Sequence, residues 1–444
     1  MSGEAQLEAL LEIINSSARQ AIAEYKNRGT SVPTLDAPEF HSLDLEEDTV
    51  ALKKAIRLLE GACQQLCVTL APPQHTVINF AQSYDWACID VAIRAGIADI
   101  LNEHPEGMHI SELAELAHLE KGKLSRVLRV LASKGCFTLV DTDVFANNRL
   151  SLILRSSSNA GCLVRIHAQD VSQVAGVLYE TLVDPEYATS YEPDKAPLIY
   201  VLKQKGLASF FDWIKEDDER REHYHRAMIG LGEIMGSLSV LHHYPWENVS
   251  TVCDVGASIG TFSLPLAKKF PHIKITDQDL SEVLVQAKDV WAKDAPEVLQ
   301  EQRVEFIPLN FFEESPVEGK DVYYLRNIIH DWPDAKAAVI LRNVRKAMGP
   351  HSRLLIHDYV LANGNRKSVS TSESMGADIA PEPMLPNFGA GNSRMYQQDL
   401  NMWFIHNAKE RTLADSISLG AGAGLRLEKV YDLAESAVLE FRLA

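Results

Sequence analysis

From Thr251 onward the chain alternates short apolar runs with segments of helical periodicity, and this alternation constrains the fold more than any other feature. The apolar runs begin at Val252, His272, Val304, Asp321 and Arg353. Repeated strand and helix units of this kind favour a parallel sheet with helices on both faces. A last run at 436–443 predicts an edge hairpin. We therefore predict an α/β, doubly wound sheet over residues 251–444.

The first apolar run leads into a turn that contains Gly256 and Gly260, and the second run ends in Asp279. Glycines let the backbone approach a ligand closely, and an acid at this place can hydrogen-bond ribose hydroxyls. The spacing is not G-x-G-x-x-G, which disfavours NAD, and the sequence has no P-loop motif. The pattern predicts a nucleoside site. The simpler alternative is that Asp279, with Asp277, only caps the next helix.

The fourth run, from Asp321, ends in His330-Asp331-Trp332. In an open α/β sheet, ligands bind outside the carboxyl ends of the strands. Histidine titrates near neutral pH and is the commonest general base. We therefore predict that His330 is a general base. The alternative is a structural histidine at a strand–helix corner, and for Trp332 packing is the favoured role.

Five motifs together resemble the S-adenosylmethionine-dependent O-methyltransferases of the caffeic-acid type, and in particular their fungal natural-product branch. They are Asp254-Val-Gly256, Gln278-Asp279-Leu280, Tyr324 to Trp332, Pro386 to Gly391, and Lys409-Glu410-Arg411-Thr412. The resemblance covers nearly the whole chain. It implies a Rossmann-like methyltransferase sheet, an N-terminal helical and winged-helix dimerisation domain, S-adenosylmethionine as cofactor, and a homodimer.

The resemblance also implies roles for individual residues. The cofactor positions are Gly256 and Gly260 at its methionine part, Asp279 at the ribose, Asn310 and Phe311 at the adenine, and Arg326 nearby. The catalytic positions are His330 as base, with Asp358 at a strand end and Glu410 at a helix start as the carboxylates that orient it. No metal is required.

Three residues depart from the family pattern: Ala257 replaces a glycine, Asn310 replaces an aspartate, and Ser281 replaces a proline. Glu410 also has a simpler alternative, because a Lys-Glu-Arg run is commonly solvated. Glu410 would then be a surface partner of Lys409 or Arg411.

The N-terminal half divides into three predicted regions. Residues 1–72 form a helical region, 73–155 a winged-helix dimerisation domain, and 156–250 a helical connector or lid. In the second region, Ser111 is predicted to cap a helix, and a helix from Lys123 ends at Gly135. Two short strands follow, around residues 136–140 and 144–150.

A winged helix alone would suggest DNA binding, because its second helix can enter a major groove. The chain, however, has 61 acidic and 43 basic residues and a net charge of -18, so we expect no nucleic acid as partner. We also expect no membrane association, since no apolar run approaches bilayer length, and a cytoplasmic location. The six scattered cysteines are interpreted as buried, reduced thiols.

The leading functional hypothesis is an O-methyltransferase that acts on a hydroxyl of a small phenolic or polyketide-type natural product. A second hypothesis is a methyltransferase-like pericyclase or dehydratase that acts on a polyketide-derived pyridone without methyl transfer. A third is a catalytically silent dimer that serves as a binding partner.

Overall fold

A computed structural model describes residues 2–202, 207, 209–362, 364–366 and 378–444. Part of the predicted connector, residues 203–206 and 208, therefore lies outside the described residues. The strands in chain order are β1 (Met108–His109), β2 (Thr138–Asp141), β3 (Val144–Ala146), β4 (Thr251–Val255), β5 (Lys274–Asp279), β6 (Val304–Pro308), β7 (Val322–Arg326), β8 (Arg353–Asp358), β9 (Val360–Leu361), β10 (Arg411–Thr412), β11 (Leu425–Asp432) and β12 (Ala437–Leu443).

The helices fall into two groups, before and after the start of the large sheet. The first group is α1 (Gly3–Asn27), α2 (Val50–Leu70), α3 (Pro73–Ala81), α4 (Asp85–Arg94), α5 (Ile97–Asn102), α6 (Ile110–Leu116), α7 (Lys121–Ser133), α8 (Asn159–Ile166), α9 (Ser172–Ala175), α10 (Leu178–Val183), α11 (Pro197–Leu202), α12 (Phe210–Lys215), α13 (Asp218–Met235) and α14 (Val240–His243). The second group is α15 (Ser263–Lys269), α16 (Ser281–Asp294), α17 (Pro296–Gln300), α18 (Asp334–Ala347), α19 (Ser393–His406) and α20 (Leu413–Gly422).

A seven-stranded sheet forms the C-terminal half, in the order β11-β12-β8-β7-β4-β5-β6. The five neighbouring strands β8, β7, β4, β5 and β6 are parallel. β12 pairs antiparallel with β8 and with β11. The predicted doubly wound sheet and edge hairpin are confirmed. Because β4, β5, β7 and β8 are parallel, their carboxyl ends meet at one edge, where ligands of such sheets bind.

Side chains of β7 show why the sheet is covered on both faces. Val322 and Tyr324 pack into one hydrophobic core, and Tyr323 and Leu325 pack into the other. All four side chains are fully buried. Successive side chains of a strand point to opposite faces, and both faces are buried here. This explains why β7 is an uninterrupted apolar run in the sequence.

The winged-helix prediction is confirmed, with two corrections. β1 pairs with β3 and adds a third strand that the sequence pattern did not reveal. Ser111 was predicted to cap α6, but the N-cap is His109, whose ring accepts a hydrogen bond from the backbone N–H of Ser111. α7 ends at Ser133 with Lys134 as its C-cap, and Gly135 follows with a φ of +79°, as expected for a left-handed residue at a helix end.

The N-terminal helices leave one apolar surface uncovered. α1 packs against α2 through Leu7, Leu10 and other apolar residues. α3 buries none of its residues, and Val77 and Phe80 are 63% and 65% exposed. Within the described ranges, no helix is long and apolar enough to cross a membrane.

The cysteine interpretation is correct in part. All six cysteines are free. Cys162 and Cys253 are buried, but Cys67 is exposed and the other three are partly exposed. Cys67 lies on α2 with Cys63 at the spacing that places both on one helix face, and that face is not fully covered.

Candidate active site

The turn after β4 brings backbone close to neighbouring side chains, and its glycines are required for this. Gly256 and Gly260 have φ values of +78° and +89°. A Cβ on Gly256 would lie 2.4 Å from Cδ1 of Ile328, and one on Gly260 would lie 2.3 Å from Nε1 of Trp291. Both positions therefore need glycine for conformation and for space.

Ala257 fits this turn without strain. Its φ is not positive, its side chain is buried, and its backbone N–H donates to the carbonyl of Gln278. The left-handed positions are instead Gly256, Ser258 and Gly260. The methyl group of Ala257 is thus accommodated by the protein.

Asp279 ends β5 and supports the turn from across the sheet edge. Its Oδ2 accepts from the backbone N–H of Ser258 at 2.8 Å, and its Oδ1 accepts from that of Leu280 at 2.7 Å. α16 has Leu280 as its N-cap and no side-chain cap, so the capping alternative does not describe Asp279. A carboxylate offers about four acceptor sites, and lone pairs on Asp279 remain for a ligand's hydroxyls.

Asn310 and Phe311 follow β6 at the same edge. Asn310 Oδ1 accepts from the backbone N–H of Phe312 at 3.1 Å, which fixes the loop. Phe311 is partly buried, with its ring centroid 6.4 Å from that of Trp332. Phe311 thus gives this end of β6 an apolar side chain and Asn310 gives it an amide, which are groups that suit a flat base.

Arg326, the last residue of β7, is held by two hydroxyl groups. Nη1 donates to Ser237 Oγ at 3.0 Å and Nη2 to Thr261 Oγ1 at 2.5 Å. Its charge also opposes the burial that raises the pKa of Asp254 to about 7. Arg326 thus fixes Thr261 beside Gly260 and lies next to a buried carboxyl group.

Asp254 and Asp277 form a buried carboxyl pair beneath the turn, because they are register partners on β4 and β5. Both are almost fully buried, and Asp277 accepts from Ser263 Oγ at 3.0 Å. Burial and the charge of Asp254 raise the pKa of Asp277 well above its ordinary value. Two adjacent buried carboxyl groups do not both ionise readily.

His330 lies in a single 3₁₀ turn, Ile329–Asp331, directly after β7. Its Nδ1 is 2.7 Å from Glu410 Oε1, and the two residues are only 3% and 2% exposed. Glu410 is therefore not the surface partner of Lys409 that the alternative described. A buried carboxylate on one imidazole nitrogen fixes the tautomer and orients the ring.

The two predicted carboxylates meet His330 differently. Asp358 does end β8, and its Oδ1 accepts from the backbone N–H of Asn327 at 2.9 Å. It interacts with His330 through the backbone N–H of that residue and through the attraction between the two charges. Glu410 was predicted at a helix start. It instead precedes the short strand β10, and α20 begins only at Leu413.

Two residues near His330 were not predicted. Asp331 Oδ1 lies 3.5 Å from His330 Nε2, and the same oxygen lies 3.6 Å from His406 Nε2. Asp331 follows His330 within the motif itself. His406 stands four positions before Glu410 at the end of α19, and that spacing is the only indication in the sequence.

Arg411 holds the turn in place from β10. Its guanidinium donates to the carbonyl oxygens of Ile329 and Trp332, each at 2.8 Å, and to Asp334. Arg411 is 5% exposed. The Lys-Glu-Arg run is therefore mostly buried, since both Glu410 and Arg411 face the turn that carries His330.

Charge in this cluster is concentrated around His330. Burial alone would lower the pKa of His330, but the carboxylates of Glu410, Asp331 and Asp358 outweigh it and raise the pKa to about 10. Burial raises the pKa of Asp331 to about 7 and also raises those of Glu410 and Asp358. The carboxylates around His330 therefore favour its protonated form.

The glycine turn and the His330 cluster share one cleft edge. Ile328, two positions before His330, packs against Gly256, and Arg326 joins the start of β7's loop to Thr261. A ligand on the glycine turn would therefore lie next to a second ligand at His330. Among the described residues, no group of three or more metal-ligating side chains could hold a metal ion.

Comparison with known proteins identifies two family regions. Residues 192–426 match an O-methyltransferase domain, and residues 80–157 match an O-methyltransferase dimerisation domain. The 3-O-methyltransferase 2 of Phanerochaete chrysosporium is 40% identical over 443 residues, which are 98% of this chain and 97% of that protein.

Solved structures with the same fold are more distant in sequence. The mitomycin 7-O-methyltransferase MmcR has a TM-score of 0.65 at 24% identity, and the match covers 84% of this chain and 98% of that one. A structure described as a pericyclic reaction enzyme has a TM-score of 0.67 at 21% identity, covering 89% and 95%. At these identities the likeness is one of fold.

Proposed function

Because the chain belongs to the S-adenosylmethionine-dependent O-methyltransferase family, we propose that it methylates a hydroxyl group of a phenolic or polyketide-type natural product, with His330 as general base. The 2.7 Å contact between His330 Nδ1 and Glu410 Oε1, buried beside the glycine turn, is the main support. It leaves Nε2 as the nitrogen that can receive a hydroxyl proton.

The residues at the sheet edge suit the cofactor. Gly256 and Gly260 would admit its methionine part, and the remaining lone pairs of Asp279 would accept from the ribose hydroxyls. Asn310 and Phe311 would face the adenine. Arg326, which donates to Ser237 and Thr261, would hold the turn at the edge of the cofactor site.

The cofactor, when bound, would supply an electrophilic methyl group on a sulfonium. His330 Nε2 would take up the proton of the acceptor hydroxyl as that oxygen is methylated. Glu410 stabilises the imidazolium that results. Holding the two reacting atoms in line contributes about 7 kcal/mol or more in favourable cases.

The raised pKa of His330 bears on the acceptor class. A phenol titrates at about 10, whereas an aliphatic alcohol is far less acidic, so a phenolic or enolic hydroxyl gives its proton to a histidine more easily. The neighbouring carboxylates raise the pKa of His330 and so make its neutral imidazole a stronger base. Both points favour phenolic or enolic hydroxyls as acceptors.

A pericyclase or dehydratase is the second candidate, and the same pKa favours it. An imidazolium at neutral pH can donate a hydrogen bond to a carbonyl or a leaving hydroxyl, and no methyl transfer is then needed. The two functions have opposite pH dependence. Methyl transfer should rise as His330 loses its proton, whereas acid-assisted chemistry should fall.

We also propose a homodimer, supported by the dimerisation domain and by the apolar residues that α3 leaves exposed. Light scattering of the purified protein should give twice the chain mass of 49.3 kDa. Phe80→Glu, which places a charge on α3, should shift the population towards monomer. A monomeric wild-type protein would contradict this proposal.

The function is tested by incubating the protein with S-adenosylmethionine that carries a labelled methyl group and with catechol, orsellinic acid or emodin as acceptor. We expect a product heavier by one CH2 group and one S-adenosylhomocysteine for each product. Conversion of a polyketide-derived pyridone without formation of S-adenosylhomocysteine would instead favour the second candidate. Binding of the cofactor with no turnover of any acceptor would favour a silent binding protein.

A further inference from the structure

A cavity of about 360 Å³ lies between α2, the segment that precedes α19, α20 and the hairpin of β11 and β12. Small-molecule sites have volumes of about 300–1,000 Å³, and one ordered water needs only about 10–15 Å³. None of the described residues that line this cavity belongs to the glycine-turn edge or to the His330 cluster. The cavity is therefore separate from the candidate active site.

Most of the cavity wall is apolar. Its apolar residues include Ile379 and Phe388 before α19, Ile417 on α20, Val430 on β11 and Ala437 on β12. Concave sites with such walls bind largely apolar molecules and orient them through a few polar groups. The polar groups of this wall therefore decide which molecule fits.

The first polar group is a buried amide that the fold leaves unused. Asn392 is the N-cap of α19 and is 3% exposed, yet its side chain makes no capping hydrogen bond. An N-cap asparagine ordinarily accepts from the first backbone N–H groups of its helix. Within the described ranges, Oδ1 of Asn392 has no hydrogen-bond partner. Since buried polar atoms are normally paired, this oxygen is available to accept from a ligand's hydroxyl.

The second polar group is the hydroxyl of Ser436, whose Oγ is 2.8 Å from Nε2 of His357. Burial lowers the pKa of His357 to about 3, so its ring is neutral. In the part of the chain that the structure describes, the buried Tyr324 hydroxyl has one partner, Nδ1 of His357 at 2.6 Å. That hydroxyl therefore donates to Nδ1, and Nε2 donates to Ser436. The O–H of Ser436 is left to donate to a ligand.

The charged groups at the cavity balance one another. Asp378 Oδ2 accepts from Arg57 at 3.1 Å and from Lys54 at 2.7 Å. Asp432 lies 3.5 Å from Arg57 and 3.7 Å from Lys54. Two cations thus face two carboxylates, and either sign of ligand charge would be opposed by one pair. A neutral ligand suits this balance.

We propose that this cavity is a second binding site, which takes a neutral, mainly apolar ring molecule that carries a hydroxyl group. Asn392 accepts from that hydroxyl, and Ser436 donates to its oxygen. The wall combines α2 with the sheet domain, so the bound molecule would also stabilise the packing of the N-terminal helices on that domain. The site does not depend on methyl transfer, because it lies apart from the glycine turn and from His330.

The test uses 2-naphthol as the probe and the full-length protein without cofactor, with carbon-13 at the δ1 methyl groups of isoleucine. Addition of 2-naphthol should shift the NMR resonance of Ile417 saturably, and this resonance is assigned as the one missing from Ile417→Val. Ile328, which packs against Gly256, reports on the active site. A saturable shift of Ile328 without one of Ile417 would place the probe at the active site and overturn the proposal.

Two variants make the result specific. Ala414→Phe, at an exposed lining position of α20, should abolish the saturable shift of Ile417 because the ring occupies the cavity. Ala421→Phe, exposed on the same helix but not a lining residue, is the matched control and should retain it. Asn392→Leu, which has similar bulk but no amide, should weaken binding of 2-naphthol by about two- to tenfold. Its affinity for naphthalene, which has no hydroxyl, should stay at the wild-type value.

The absence of a saturable shift of Ile417 in the wild-type protein would overturn the proposal, because the cavity would then hold only water. Equal affinities of wild type and Ala414→Phe for 2-naphthol would also overturn it. An unchanged affinity of Asn392→Leu would contradict the assigned role of the amide. Since no acceptor is methylated in these measurements, their failure and the failure of the proposed function are distinguishable.

Discussion

The glycine-turn edge and the His330 cluster are adjacent, yet they are assembled in different ways. At the edge, the turn after β4 is held by Asp279 on the neighbouring strand, with a sequence separation of 21. In the cluster, His330 pairs with Glu410 across a separation of 80, and Asp331 faces His406 from another helix. The glycine turn and Asp279 are therefore set by one βαβ unit, whereas the His330 cluster depends on distant segments that fold onto the sheet.

The largest expected effect separates the two regions directly. His330→Ala should reduce kcat/KM for methyl transfer by about 100- to 10,000-fold, because general base catalysis is lost. Its affinity for S-adenosylhomocysteine, measured by calorimetry, should stay at the wild-type value. His351→Ala, at an exposed histidine, is the control. A weaker affinity of His330→Ala for S-adenosylhomocysteine would show that His330 also contributes to cofactor binding, and the two regions would not be independent.

The reciprocal change affects the other region. Asp279→Asn should weaken S-adenosylhomocysteine binding by about tenfold or more, because hydrogen bonds to a charged acceptor contribute about 1.5–3 kcal/mol. At saturating cofactor, kcat should fall by no more than about twofold. Asp289→Asn, exposed on α16, is the matched control. A loss confined to kcat would place Asp279 in the chemistry instead.

Glu410→Gln tests whether the carboxylate of Glu410 controls the pKa of His330. Removing this carboxylate should lower the pKa of His330 by about one to two units and move the rising limb of the kcat/KM profile to lower pH by the same amount. Cofactor affinity should not change. An unmoved limb would show that Glu410 does not control the base.

The same contrast explains what the sequence predicted well. The glycine turn, Asp279 and the strand that ends in His330 follow from local patterns, because strand period and turn residues are encoded within a few positions. The doubly wound sheet was predictable for this reason. β1 was not, because a two-residue strand leaves no period to detect.

The misjudged site residues all depend on contacts between distant segments. Glu410 was placed at a helix start, whereas it precedes β10, and its burial results from Arg411 closing on the His330 turn. Asp358 interacts with the turn of His330 through the backbone of Asn327 and through its charge, and His406 approaches from α19. No local sequence pattern indicates either contact. Tertiary packing decides them.

The smallest expected effect concerns the carboxyl pair under the turn. A carboxyl group whose native pKa is raised contributes stability that is complete below its unfolded pKa and is lost as pH rises through the native value. Asp277 is such a group. Asp277→Asn should therefore raise the melting temperature by about 2 °C at mildly alkaline pH, with a smaller gain at mildly acidic pH.

The control for this prediction is Asp294→Asn, because Asp294 is exposed at the end of α16, the helix that follows β5. It should leave the melting temperature unchanged at both pH values. A gain for Asp277→Asn that grows towards acidic pH would contradict the assigned direction. Neither variant should alter the pKa of His330, since Asp277 lies in the edge region.

The most direct test of His330 as base is the pH dependence of kcat/KM for methyl transfer, measured for wild type and His330→Ala with the same acceptor, so that ionisation of the acceptor is common to both. The account predicts that the wild-type value rises with pH towards about 10, as His330 loses its proton, and that the ratio of wild type to variant rises in the same way. A wild-type value that falls over this range, or a ratio independent of pH, would contradict it.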